Sequence, residues 1–101
     1  MRIMLVCSNG LSTSLVVTSM LEAAEKQGKD YKIWAVGQQA VSDEMGNFDI
    51  IMVGPQVKYI QRRLQKMVGD DIPVVVMDQV AYGRRDGEAV LKQAENALKE
   101  K

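Results

Sequence analysis

Short apolar runs alternate with helical periods along the whole chain, and this alternation restricts the fold more than any other feature. Ile3 to Val6, Ile50 to Val53 and Val74 to Met77 are continuous and mostly β-branched, as strands buried on both faces of a parallel sheet should be. Tyr31 to Val36 places Lys32 in an otherwise apolar run, which suits an edge strand. Between these runs, Val17, Met20, Leu21 and Ala24 recur at helical spacing, and Gly28 stands where it would stop the helix. Val57, Ile60, Leu64 and Met67 repeat in the same way after Gly54-Pro55, where proline fits a first turn, and Gly69 ends the pattern. Leu91, Ala94 and Leu98 mark a last helix with Asp86 as its N-cap. A shorter helix is expected around Gln39 to Met45. The order βαβαβαβα predicts an α/β fold: an open four-stranded parallel sheet of order 2-1-3-4, with right-handed crossovers and helices on both faces. A phosphate loop is expected after strand 1, and the Tyr31 to Val36 strand at an edge.

The 101 residues suit one domain spanning 1–101. Thirteen Lys and Arg balance thirteen Asp and Glu, so no global basic footprint for nucleic acid or anionic membrane exists, and charge recognition must be local. No apolar run approaches the ~20 residues of a membrane span, so no direct membrane insertion is expected. No secretory signal precedes Arg2, and a cytoplasmic location is expected. The charges of the tail "KQAENALKEK" read as a solvated helix face. One cysteine excludes an internal disulfide, a CxxC redox pair and an all-cysteine metal site. The absence of histidine excludes a Cys-His pair within the chain. No metal and no cofactor are expected.

In sheets of this order, ligands bind beyond the carboxyl ends of the strands where the strand order reverses, here between strands 1 and 3. Cys7 follows strand 1, and Gly54-Pro55 follows strand 3. The segment Ser8, Asn9, Gly10, Leu11, Ser12, Thr13 and Ser14 then enters a helix whose first amides lack intrahelical acceptors. Those amides and the helix dipole favour an anion, either a bound phosphate or a thiolate. A cysteine so placed can have its pKa lowered from the free value of about 8.5, which makes it nucleophilic at neutral pH. Gly10 permits close backbone approach, while Ser12, Thr13 and Ser14 add hydroxyl donors. Plainer readings stand beside these. A lone cysteine is often a small buried hydrophobe, and Ser12 or Ser14 can be a helix cap and nothing more.

What the loop lacks narrows the chemistry. It has neither GxxxxGK[ST] nor GxGxxG, which disfavours a nucleotide site. Its spacing is similar to the loop of low-molecular-weight phosphotyrosine phosphatases, in which cysteine is followed by five residues, an arginine and a hydroxyl residue. Here the arginine position is Thr13, followed by Ser14. Without an arginine clamp, a phosphocysteine can form yet is poorly set up for attack by water. That pattern favours a carrier over a phosphatase.

The segment "MLVCSNGLSTSLVV", supported by "DIIMVGPQVKYI" and "VMDQVAYGRRDG", resembles the lactose/cellobiose-type IIB subunits of the phosphoenolpyruvate-dependent sugar phosphotransferase system. The resemblance covers nearly the whole chain, and the loop does not depart from the family pattern. It implies that Cys7 is phosphorylated by a histidine of the IIA subunit and passes the group to a sugar bound by the membrane-embedded IIC subunit. It also implies that Ser8 to Ser14 cradle the phosphoryl group and that the imidazole chemistry resides in the donor. The family's sugars are β-linked disaccharides such as cellobiose, chitobiose and lactose. Gly54, Pro55 and Gln56 are expected to shape a turn beside the loop, and Asp78 and Tyr82 to line the rim or meet a partner. Tyr82 equally suits simple packing, as do Trp34 and Phe48. Three other readings remain: a stand-alone phosphatase-like or arsenate-reductase-like enzyme, for which only Asp78 is placed as a general acid; a flavodoxin-like binding module; and a structural or redox-sensing domain in which Cys7 is incidental or oxidisable.

Overall fold

The computed structural model describes residues 1–8 and 14–100. Strand β1 (Arg2–Cys7) is followed by helix α1 (Ser14–Lys26), strand β2 (Lys32–Gly37) and a 3₁₀ segment, Gln38–Glu44. Strand β3 (Ile50–Val53) leads through a second 3₁₀ segment, Pro55–Ile60, into α2 (Gln61–Val68). Strand β4 (Val74–Val76), the short α3 (Gln79–Gly83) and α4 (Gly87–Lys99) complete the chain. The sheet is parallel throughout, in the order β2-β1-β3-β4, with the Lys32-bearing strand at an edge as its sequence implied.

Alternation along β1 divides the core in two. Ile3 and Leu5 face a cluster with Val16, Met20 and Ala24 of α1 and Val90, Leu91 and Ala94 of α4. Met4 and Val6 face the other way, toward Val41, Phe48, Val57, Ile60 and Leu64. Helices therefore cover both faces. Every residue from Ile3 to Val6 is fully buried, which is why the run carries no polar residue.

Two helices differ from their sequence reading. In α1 the buried stripe is Val16, Met20 and Ala24, at four-residue steps, while Leu21 is exposed and Val17 half-buried. The segment Leu15–Leu21 offers two adjacent apolar stripes, and tertiary contact selects between them. Gly87 of α4 approaches so closely that its N–H donates to Ser19 Oγ at 2.9 Å, which fixes the rotation of α1 about its axis. The helix expected from Val57 onward starts later. Val57 has φ −120° and ψ 28°, outside the helical region, and regular α-helix begins at Gln61. Val57, Ile60 and Leu64 are buried as the spacing predicts, but Met67 is exposed.

The end signals fared better. Asp86 accepts a hydrogen bond from the Ala89 N–H at 3.1 Å and caps α4. Gly69 adopts φ 86° beyond the end of α2, a conformation that suits glycine. Helix α3 has five residues, too few to show a period, and Asp78 caps it by accepting from the Ala81 N–H at 2.9 Å. Phe48 is buried, and the half-buried Trp34 donates from Nε1 to Glu44 Oε1 at 2.8 Å, so both serve packing.

At the amino-terminal end of the sheet, Lys29 and the Tyr31 hydroxyl both donate to Glu95 Oε2, tying the turn before β2 to α4. The Lys29 ammonium, then the Tyr31 hydroxyl, lowers the Glu95 pKa, while the bond to Glu95 raises those of both partners. A carboxyl depressed on folding contributes stability above its unfolded pKa, and that contribution is lost as pH falls through the folded value. Glu95→Gln is therefore expected to lower the melting temperature at pH 7, with the difference from the parent closing in acid. Thermal melts at several pH values check this. An equal difference at every pH would contradict it.

Candidate functional site

The chain runs from β1 to β2 on one side, then crosses to β3 on the other, so the order reverses between β1 and β3. Cys7 ends β1 at that reversal and pairs with Gly37 of β2 in the parallel register. On its other side, Val6 pairs with Val53, and the Gly54 N–H donates to the Val6 carbonyl at 2.9 Å. Gly54 thus lies against the cysteine: a Cβ built there would stand 3.7 Å from the Cys7 Cβ and 3.1 Å from Gln56 Oε1. The Gln56 amide folds back over this glycine. Cys7, Gly54, Pro55 and Gln56, which the sequence placed beside one another, come together.

Cys7 exposes 1% of its surface, whereas Ser8 is exposed. The structure thus buries Cys7 at the end of its strand. Burial suits a core hydrophobe, and it equally suits a nucleophile kept from water and oxidants until a partner docks. Ser14 opens α1, and its carbonyl accepts from Thr18 Oγ1 at 3.3 Å. Asn9, Gly10, Leu11, Ser12 and Thr13 lie outside the described residues.

Asp78 and Tyr82 follow β4, whose chain continues the sheet when the Met77 N–H donates to the Val53 carbonyl at 2.8 Å. The Asp78 carboxylate is engaged in capping α3, and its backbone N–H donates to Gln93 Oε1 at 2.9 Å. Tyr82 is half-buried and packs against the α1/α4 face of the core. It also shares a cleft of about 600 Å³ with Pro55, Gln56, Lys58 and Gln79, so the structure joins it to the Gln56 side of the site. A second cleft, of about 520 Å³, lies on the other flank and is lined by Ser8, Gln38, Gln39, Ser42, Arg63, Leu64 and Met67.

Sequence reasoning passed over Gln38 and Arg63, because neither belongs to a motif and they come from segments 25 residues apart. One signal was available. The segment 54–69, which follows β3, holds Lys58, Arg62, Arg63 and Lys66 and no carboxylate in a chain of zero net charge. Among the described residues, no group of three or more His, Cys, Asp or Glu is placed to hold a metal, and no helix is long and apolar enough to cross a membrane.

The family model described as "PTS system, Lactose/Cellobiose specific IIB subunit" matches residues 2–93. The oligo-beta-mannoside-specific EIIB component of the phosphotransferase system (PTS) of Bacillus subtilis is 43% identical over 94 residues, covering 92% of this chain and 91% of the relative. The galactose-specific EIIB component of Lactococcus lactis subsp. cremoris is 33% identical, with 95% and 94% covered. Among solved structures, the cellobiose-specific IIB component from Borrelia burgdorferi superposes with a TM-score of 0.82 at 31% identity, covering 100% of this chain and 94% of the other. The lactose-specific IIB domain from Streptococcus pneumoniae also gives 0.82, covering 96% of each chain, at 18% identity, and is a likeness of fold.

Proposed function

The chain belongs to the lactose/cellobiose-specific IIB subunits of the PTS, and from that premise we propose that it is a phosphocysteine carrier between a IIA phosphohistidine and a sugar held by the membrane subunit IIC. The observation that carries this reading is the position of Cys7, the only cysteine, at the carboxyl end of the inner strand β1, where the sheet order reverses and α1 follows. In the first step the Cys7 thiolate attacks phosphorus. The S–P bond forms as the N–P bond of the donor breaks, and the leaving imidazole nitrogen keeps the electron pair and takes up the proton released on forming the thiolate. In the second step a sugar hydroxyl attacks, the O–P bond forms, and the S–P electrons return to sulfur, with the hydroxyl proton going to solvent or the thiolate.

Ser8, Asn9, Gly10, Leu11, Ser12, Thr13 and Ser14 form the cradle in this reading, with their amides and hydroxyls donating to the phosphoryl oxygens. Gly54 and Gln56 close the site from β3, and Tyr82 stands on the partner-facing rim. The whole of 1–101 acts as one domain at the cytoplasmic face of the membrane, reaching the bilayer only through IIC. A β-linked sugar is the acceptor, in keeping with the oligo-beta-mannoside and cellobiose specificities in the names of relatives. The engagement of Asp78 as a helix cap weighs against its service as the general acid of a stand-alone phosphatase.

Single-turnover transfer tests the proposal. A labelled phosphoryl group on IIA is expected to move to this chain when the two are mixed, and to leave it as sugar phosphate when IIC-containing membranes and cellobiose or another β-linked disaccharide are added. Release of the label as inorganic phosphate, or direct transfer from IIA to sugar without this chain, would contradict the carrier role.

A further inference from the structure

The loop after β1 brings no cation of its own, because no Lys or Arg stands between Arg2 and Lys26. Two negative groups must nevertheless meet there, the thiolate and a phosphoryl group of roughly −1.5 to −2 charges near neutral pH. Helix α2 brings a guanidinium to the cleft that Ser8, the residue after Cys7, lines. Gln61 and Gln65 stand four residues apart on one face of that helix. Gln61 Nε2 donates to the Val74 carbonyl at 2.7 Å and Gln65 Nε2 to the Ile72 carbonyl at 2.8 Å, which pins α2 beside β4. Arg63, midway between them, projects from the opposite side of the helix, and its Nη2 donates to Gln38 Oε1 at 2.8 Å.

Gln38 directly follows Gly37, the register partner of Cys7, and Arg63, Gln38 and Ser8 line one cleft. Neighbouring strands are about 4.8 Å apart, so Gln38, which holds Arg63, directly follows the strand that flanks the Cys7 backbone. The remaining polar groups of the cleft are the Gln39 amide and the Ser42 hydroxyl, and no carboxylate is among its described lining. Among the described residues Arg63 forms no ion pair.

We propose that Arg63, positioned by Gln38, is the cation that meets the transferring phosphoryl group at the mouth of the Cys7 site, supplying from α2 the guanidinium that the loop lacks at Thr13. The inference rests on the phosphocysteine reading above. An arginine in this place draws in the dianion and offsets its repulsion by the thiolate. Being exposed and held by a neutral amide, it retains the group less firmly than an arginine enclosed in the loop, which suits a carrier that must release its cargo.

The test measures transfer from phosphorylated IIA to the full chain at several ionic strengths. Arg63→Gln is expected to slow acceptance about tenfold at low salt, a modest loss because the group is exposed. The wild-type rate should fall as salt rises, since charges more than about 10 Å apart are screened at 0.1 M, and the variant should lose much of that dependence. Arg63→Lys should recover part of the rate. Gln38→Ala should cost less than Arg63→Gln and add little to it in the double variant. A second readout needs no partner: the ratio of Cys7 alkylation rates by anionic iodoacetate and neutral iodoacetamide should fall in Arg63→Gln. Wild-type rate, salt dependence and alkylation ratio in Arg63→Gln would overturn the inference while leaving Cys7 as carrier. Equal losses in Arg63→Gln and Arg63→Lys with unchanged salt dependence would assign Arg63 a packing role and overturn it too. If the wild-type chain is not phosphorylated on Cys7, the carrier reading itself fails, and the inference with it.

Discussion

Cys7→Ser is expected to reduce phosphoryl acceptance by about a thousandfold or more, the scale on which loss of a nucleophile acts. A serine hydroxyl remains protonated at neutral pH, and no histidine of the chain can serve as its base. The variant also tests the burial of the site. Cys7 is 1% exposed, so a change of its polarity can alter stability as well as chemistry. Cys7→Ala removes the nucleophile without adding a polar atom, and the two variants separate chemistry from stability. Both should fail to accept phosphate, with Cys7→Ala melting close to the parent. Transfer by either variant at the parental rate would exclude Cys7 as the acceptor.

Gly87→Ala is expected to destabilise the protein by about 2 kcal/mol, although alanine is the better helix former by about 1 kcal/mol. A Cβ at this position would lie 2.2 Å from the Ser19 carbonyl carbon, 2.3 Å from the Met20 nitrogen and 2.5 Å from the Ser19 oxygen. These are backbone atoms, so no rotamer change relieves the clash and α1 and α4 must separate. Separation would also stretch the hydrogen bond from the Gly87 N–H to Ser19 Oγ and loosen Val16, Met20, Val90 and Leu91. For a chain of this size 2 kcal/mol corresponds to a fall in melting temperature of roughly 8–16 °C. Gly83→Ala is the control, because nothing lies within 4 Å of a Cβ built there. Equal melting temperatures for Gly87→Ala and the parent would mean that the two helices are not held this closely.

The sheet was legible because its strands are buried on both faces. Continuous apolar runs at Ile3, Ile50 and Val74, with Lys32 marking the edge, determine both strand positions and their order. That Cys7, Gly54 and Gln56 are neighbours was legible for the same reason, since fixing the order also fixes which strand ends converge. The rotation of α1 was not legible. It depends on the approach of Gly87 to Ser19, 68 residues away, and no local pattern records that contact. The late start of α2 was hidden because a 3₁₀ turn and an α-turn bury nearly the same residues, Val57, Ile60 and Leu64. Asp78 illustrates a different limit. An acid after a strand reads equally as a rim residue and as a cap, and only the bond from the Ala81 N–H shows which helix end it holds. Arg63 escaped notice because its contact with Gln38 joins two segments that no local pattern relates.

Peptide mapping by mass spectrometry, applied to the wild-type chain after incubation with phosphorylated IIA, locates the transferred group directly. The expected result is a single phosphoryl group on the peptide containing Cys7, bonded to sulfur and discharged when sugar and IIC are supplied. A phosphoryl group on Ser8, Ser12, Thr13 or Ser14 with Cys7 unmodified, or a chain that remains unmodified beside a fully charged donor, would contradict the phosphocysteine carrier.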